Sequence, residues 1–340
     1  RNALDAVTSG EHNIGIGSGA VSGVTTADQN VGIGGSALNA NVTGANNTAI
    51  GHASLSVNTA SENTAVGYNS LVANTTGSPN VAVGNYSLES NTTGTNNTAI
   101  GLSALKSNTT ASNNTAVGQN ALRLNVTGES NVAIGLKALY TNTGSNNTAV
   151  GYEALELNTS GTGNSALGLQ ALENNTTGSS NTGIGFRALE ANTTGNENTI
   201  IGGLAGDALT TGVENVAVGV SSLGGDTQGK KSVAVGWGTL TAQNFTSATD
   251  AYNTAIGYAA GNDITTGQFN TFVGGLSGDA NTTASNNTAL GYNSLTANTT
   301  GTGNVAVGTA LSANTTANDN TAVGNGSLGS NSTGASNTAI

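Results

Sequence analysis

The chain has 340 residues, 51 of them Gly, with 7% charged and 4% aromatic residues, one Pro and no Cys. That composition excludes an ordinary enzyme domain with charged helix faces and a bulky core, and collagen, which needs Pro and a Gly at every third position. It also excludes a disulfide frame or thiolate metal site, and low charge with regular aliphatics is the reverse of the signature of disorder.

A net charge of −11 argues against nucleic acid and anionic membranes as partners. No stretch approaches 18 consecutive apolar residues, so membrane insertion of this segment is not expected. The amino end carries no charged-then-apolar leader, which suits a mature product or a window on a longer chain.

From the amino end onward one phrase recurs. Its glycine falls at Gly17, Gly34, Gly51, Gly67, Gly84, Gly101 and so on to Gly324, at spacings of 17, sometimes 16 and once 21. About twenty such units fill residues 1–340 as one continuous array, with no linker and no second domain. Each unit reads Asn-Thr-Ala-Ile-Gly-x-x-Ala-Leu-x-x-Asn-Thr-Thr-Gly-x-x.

The first part of a unit alternates with period two and is rich in β-branched residues, which predicts a strand. A second short strand is expected around Ala-Leu. Asn-Thr-Thr-Gly has turn chemistry, with Gly44, Gly77, Gly94, Gly128 and Gly178 free to take positive φ.

Strand, turn, strand and turn within one such unit make one coil of a parallel β-solenoid, or β-roll, in an all-β fold. Each coil adds about 4.8 Å along the axis, so twenty give a rod of roughly 95 Å. The expected core is two aliphatic ladders: Ile50, Val66, Val83 and Ile100 just before the marker glycine, and Leu55, Leu71, Leu88 and Leu105 four after it. The Asn corners are expected outside. The Ala column two before the glycine (Ala49, Ala65, Ala82, Ala99, Ala116) is expected on the opposite, outer strand face, as the contact between subunits of a homo-oligomer.

In two coils Leu is replaced by Gly206 or Gly261, and Leu209 or Ile264 appears three residues later, as if restoring lost volume. The coil with Gly278 keeps Asn281 and has no such replacement.

The 21-residue spacing, between Gly236 and Gly257, is the irregular coil, over about 237–256. Four extra residues bulge from the stack there, within 241–252. Trp237, Phe245 and Tyr252 fall in this stretch, beside Lys230-Lys231, and are candidates for contact with a glycan or protein receptor.

The residues offer no catalytic group, metal site or cofactor site. His12 and His52 are the only histidines, and the carboxylates are scattered. About twenty Asn-x-Ser/Thr sequons occur; Asn74, Asn91, Asn108, Asn175, Asn192 and Asn298 are candidates for N-glycosylation.

Phrases such as Asn63-Thr64-Ala65-Val66-Gly67 and Asn80-Val81-Ala82-Val83-Gly84 resemble head repeats of YadA-like trimeric autotransporter adhesins. The longer unit, with Ala-Leu and Asn-Thr-Thr-Gly, is similar to repeats of phage tail fibres and related surface fibres. The resemblance implies a left-handed roll, three chains side by side, and an adhesive head or fibre shaft at a cell or virion surface.

The chain is therefore expected to be a non-enzymatic, extracellular structural or adhesive fibre segment whose main partner is itself, as a homotrimer or an end-to-end filament. Two alternatives are a self-assembling filament or sheath subunit and an ice-binding solenoid. The second would use threonine columns such as Thr48, Thr64, Thr98 and Thr115, provided they point outward.

Overall fold

The computed structural model describes residues 2–340, and among these there is no helix. Two compact units divide the chain, the first ending at Asn164 and the second running over Ser165–Ile340. Each is a parallel β-solenoid in which every repeat unit forms one coil with one short main strand.

The first unit holds nine strands, from β1 (Ile14–Ile16) to β9 (Thr148–Val150), each paired in parallel with the next. Partner residues lie 17 or 16 apart, as with Val81 and Thr98 or Thr48 and Thr64. The second unit runs from β10 (Ser165–Leu167) to β22 (Thr338–Ala339). Within it β14 (Gly229–Lys230) and β16 (Thr249–Asp250) form a separate parallel pair.

The segment around Ala-Leu, expected as a second strand, is a turn. A coil must close on itself within a single repeat, and it bends at positive φ. In one coil of the first unit these bends are Asn96 (φ 56°), Gly101 (φ 134°), Ser103 (φ 57°) and Leu105 (φ 50°). Leucine in this region is strained by about 1–2 kcal/mol. Full burial of a leucine side chain returns about 1.5–3 kcal/mol.

The marker glycine has a second constraint. A Cβ at Gly101 would lie 2.5 Å from the carbonyl oxygen of Gly118 in the next coil, so consecutive coils stack backbone on backbone there. The glycines of Asn-Thr-Thr-Gly differ from expectation. Gly44, Gly77, Gly94, Gly128 and Gly178 have no positive φ; their room, not their torsion, is used. A Cβ at Gly94 would meet Ala111 O at 2.4 Å, yet Ala111 itself occupies the equivalent place one coil on.

The strand faces are the reverse of the expected ones. Ala49, Ala65, Ala82, Ala99 and Ala116 are fully buried, as are Leu55, Leu71, Leu88 and Leu105. The predicted ladder Ile50, Val66, Val83 and Ile100 faces out: Ile100 is 40% exposed, and Val66 and Val83 are half-buried. Period two puts Ala and Ile on opposite faces; the width of the interior decides which is in. A Cβ at Gly183, in the alanine column of the second unit, would lie 3.1 Å from Leu172 Cδ1 of the preceding coil. With leucine filling the far wall, only a methyl group or less fits on the strand side.

The exceptions confirm that volume is conserved. Where Leu becomes Gly206, the alanine column carries buried Ile200, 3.3 Å from a Cβ built on Gly206. Where it becomes Gly278, Phe272 fills the space, its ring 2.6 Å from such a Cβ. The coil that seemed uncompensated is thus repaired from the strand. Gly261 is closed in by Leu240, Phe272 and Ile264.

The rest of the interior is amide. Asn97 N donates to Asn80 Oδ1 (3.0 Å), and its Nδ2 donates to Ala111 O (2.9 Å). In the turn column Asn91 Nδ2 donates to Asn74 Oδ1 (2.8 Å) and Gly94 O (3.1 Å). The asparagines expected at outer corners are therefore inside, bonding coil to coil.

The irregular coil shows how that ladder is mended. Ser232 stands where asparagine is usual and is too short to bridge. Gln243 spans the gap: its Nε2 donates to Asp226 Oδ2 (2.6 Å) and Ser232 Oγ (3.0 Å), and its Oε1 accepts from Asn253 (2.9 Å). Thr246, Ser247 and Ala248 bulge into solvent, within the expected stretch.

Asp226 is fully buried and accepts from Gly229 N and Phe245 N as well, both at 3.0 Å. Burial raises its pKa, outweighing these donors. A carboxyl whose folded pKa exceeds its unfolded value of about 3.9 favours the folded state most below that pH. Its contribution is lost as pH rises through the folded pKa. The melting temperature of the wild type relative to Asp226→Asn is therefore expected to fall as pH rises above about 4; a pH-independent difference would contradict this.

The volume rule is tested by a double-mutant cycle. Leu105→Gly alone is expected to destabilise by roughly 3–5 kcal/mol and Ala99→Ile alone by about 1–3 kcal/mol. Together, copying the Ile200–Gly206 pair, they are expected to cost less than Leu105→Gly alone, read from thermal melts. Ile100→Ala should stay within about 1 kcal/mol in the isolated chain.

Candidate functional site

With alanine turned inward, the residues just before and just after it on each main strand face solvent. In the first unit the outer columns read Val31, Thr48, Thr64, Val81, Thr98, Thr115, Val132 and Thr148, and beside them Ile33, Ile50, Val66, Val83, Ile100, Val117, Ile134 and Val150. In-register parallel pairing spaces the members of a column by about 4.8 Å. No charged side chain interrupts either column, in this unit or in the second.

Such a continuous apolar strip is unusual on a solvent-facing sheet. Charges gather instead on the turn beyond the marker glycine, where Lys137 bonds Glu153 and Glu156, both at 3.1 Å. Those two carboxylates hold the Lys137 ammonium above its usual pKa. The Lys137 end of these pairs lies in solvent, which screens them and limits what they add to stability.

A third exposed column follows the glycine. It includes Tyr68, Leu102, Leu136 and Tyr152 in the first unit, and Phe186, Val220, Trp237, Tyr258 and Tyr292 in the second. Sequence reasoning passed over it because its residue types vary. Aligning the units on the glycine exposes the signal: aromatic or aliphatic residues recur at one position, interspersed with polar residues and Gly such as Asn85, Gln119 and Gly203.

The three residues named as a receptor contact do not come together. Trp237 stacks on Tyr258 (centroids 5.1 Å apart, planes 9° off parallel). Tyr252, 49% exposed, stacks on Phe269 at 5.9 Å and accepts a hydrogen bond from Lys231 Nζ at 3.2 Å. Phe245 is buried beneath the bulge and is part of the core. It replaces no ligand contact; it seals the insertion.

The sequon asparagines are also corrected. Asn74, Asn91, Asn108, Asn175, Asn192 and Asn298 are all fully buried. The Nδ2 that a glycan would take is a ladder donor, as in Asn108 to Asn91 Oδ1 (2.8 Å) and Asn298 to Asn281 Oδ1 (2.9 Å). A sugar there is incompatible with the stacked coils. The turn chemistry that repeats Asn and Thr accounts for the motif.

Compared with family models, curated proteins and solved structures, the chain finds no match.

Proposed function

We propose that this chain is a segment of a structural or adhesive fibre at a cell or virion surface, in which copies associate side by side through the outward Thr/Val and Ile/Val columns. The supporting observation is the uncharged strip itself, repeated on consecutive strands and half-exposed along its length. Burying it removes apolar surface from water at about 25 cal/mol per Å². In-register columns also let identical chains mesh rung for rung. The repeat phrases, similar to those of trimeric adhesins, make three the expected number of chains. Length, stiffness and multivalent display are then the function, with no catalysis required.

Light scattering tests this reading. The mass is expected near three times the 32.9 kDa of the chain, and Val83→Lys with Ile100→Lys should yield monomer that keeps its β circular dichroism. A wild-type mass of one chain, or an unchanged mass in the variant, removes the assembly.

A second reading has one observation in its favour: Thr48, Thr64, Thr98 and Thr115 lie on the outer strand face, in register. A regular threonine array on a flat sheet is the arrangement expected of an ice-binding surface, although Val81 and Val132 interrupt it. Thermal hysteresis that is lost in Thr98→Lys would favour this reading; its absence in wild type would discard it.

A further inference from the structure

Asparagine recurs in every part of this chain and 51 residues are Gly, yet the two meet in that order once, at Asn325-Gly326. The step falls just after the marker Gly324, in the exposed column that also holds Tyr68, Leu102 and Trp237. Asn325 is exposed, as are Asn85 and Gln119 at the same position of coils stacked on both sides, so the exposure belongs to the position. No hydrogen bond holds its amide among the described residues, whereas Asn85 Oδ1 accepts from Tyr68 N at 3.0 Å.

The ladder asparagines differ on every count. Asn80, Asn91, Asn97 and Asn108 are buried, and each Nδ2 donates to a main-chain carbonyl inside the stack. Each is followed by Val or Thr, whose branched Cβ crowds the next backbone nitrogen. Gly326 has no Cβ to crowd its own. Its N donates to Thr309 O at 3.0 Å. That bond lies on an exposed turn, and opening it slows an attack by this nitrogen only about twofold to tenfold. A ladder amide is released only when coils separate.

We propose that Asn325-Gly326 is a self-modification site, at which the asparagine converts to aspartate and isoaspartate with water as the only co-reactant. Gly326 N gives its proton to solvent base and attacks Asn325 Cγ. A succinimide ring closes as the bond from Cγ to Nδ2 breaks, and ammonia leaves with a proton from water. Water then adds to one carbonyl of the imide. Breaking the new Cγ–N bond gives aspartate. Breaking the original peptide bond gives isoaspartate, whose backbone runs through Cβ. No oxidant or reductant takes part.

Either product puts a carboxylate into a column that, from Ser18 to Thr309, holds no Asp, Glu, Lys or Arg. Isoaspartate also lengthens the backbone just ahead of the bends at Gly326 (φ 75°) and Leu328 (φ 49°). The reaction is confined to one coil and does not rest on how copies associate.

The test incubates the full chain, in its native assembly, in mildly alkaline heavy-oxygen water. Peptides are then mapped by mass spectrometry with fragmentation that separates aspartate from isoaspartate. Heavy oxygen is expected at residue 325 in both products, with isoaspartate in excess, at least tenfold faster than at Asn85. Gly326→Ser copies Ser103, which takes φ 57° at the same place of an interior coil. It should keep the melting temperature and slow conversion at least tenfold, and Asn325→Gln should abolish it.

Should Gly326→Ser misfold, Asn325→Gln and the comparison with Asn85 decide. No conversion at residue 325, conversion no faster than at Asn85, or an undiminished rate in folded Gly326→Ser protein overturns the proposal. So does conversion confined to protein that has first been unfolded.

Discussion

The narrowness of the coil governs this structure. A loop only one repeat long encloses a slot in which a leucine from one wall reaches the strand opposite, and the strand can answer with no more than a methyl group. Ala99 and Leu105 are both fully buried for that reason, while Ile100 is turned to solvent. Close packing makes this a rule of sums and not of single residues: Ile200 with Gly206 and Phe272 with Gly278 redistribute the volume across the slot. The strained φ of the leucine column follows from the same demand, since the chain must bend at the residue whose side chain has to point inward.

Where the slot holds amides, register is set by hydrogen bonds. Each asparagine serves the coils on both sides, so a missing one leaves two neighbours unsatisfied, at about 1–3 kcal/mol for each orphaned group. The irregular coil respects this constraint although it departs from the length rule. Gln243 replaces the reach lost at Ser232, and Asp226 takes the donors that an amide would have shared. The insertion leaves the ladder through exposed Thr246, Ser247 and Ala248, while Phe245 stays inside. Extra length is tolerated where it projects, not where it stacks.

The same constraint generates the surface. With small residues drawn inward, β-branched and aliphatic residues must line the outside of the sheet, and the aromatics after the glycine stand beside them. The outer strip and the aromatic column are thus consequences of the core. An apolar strip of this regularity suits a partner of the same regularity, which is the argument for association between copies of the chain.

Much of this was legible in the residues. The spacing of Gly51, Gly67 and Gly84 established the coil, and the alternation of Thr64, Ala65 and Val66 established a strand with two distinct faces, because side chains on a strand have period two. The place of the insertion followed from the one irregular spacing. Alternation is symmetric between inside and outside, however, so Ile100 was expected within and Ala99 without. The paired replacements Ile200–Gly206 and Phe272–Gly278 held the missing information, since each exchanges volume between the alanine and leucine columns. Burial of Asn91 and the stacking of Trp237 on Tyr258 were not legible: both depend on which residue of the next coil lies a rung away. Sequence by itself determined the repeat, the strand and the parallel stacking, which local periodicity encodes. Only the tertiary structure decided which face is wet, because that choice depends on the distance between two walls contributed by residues far apart along the coil.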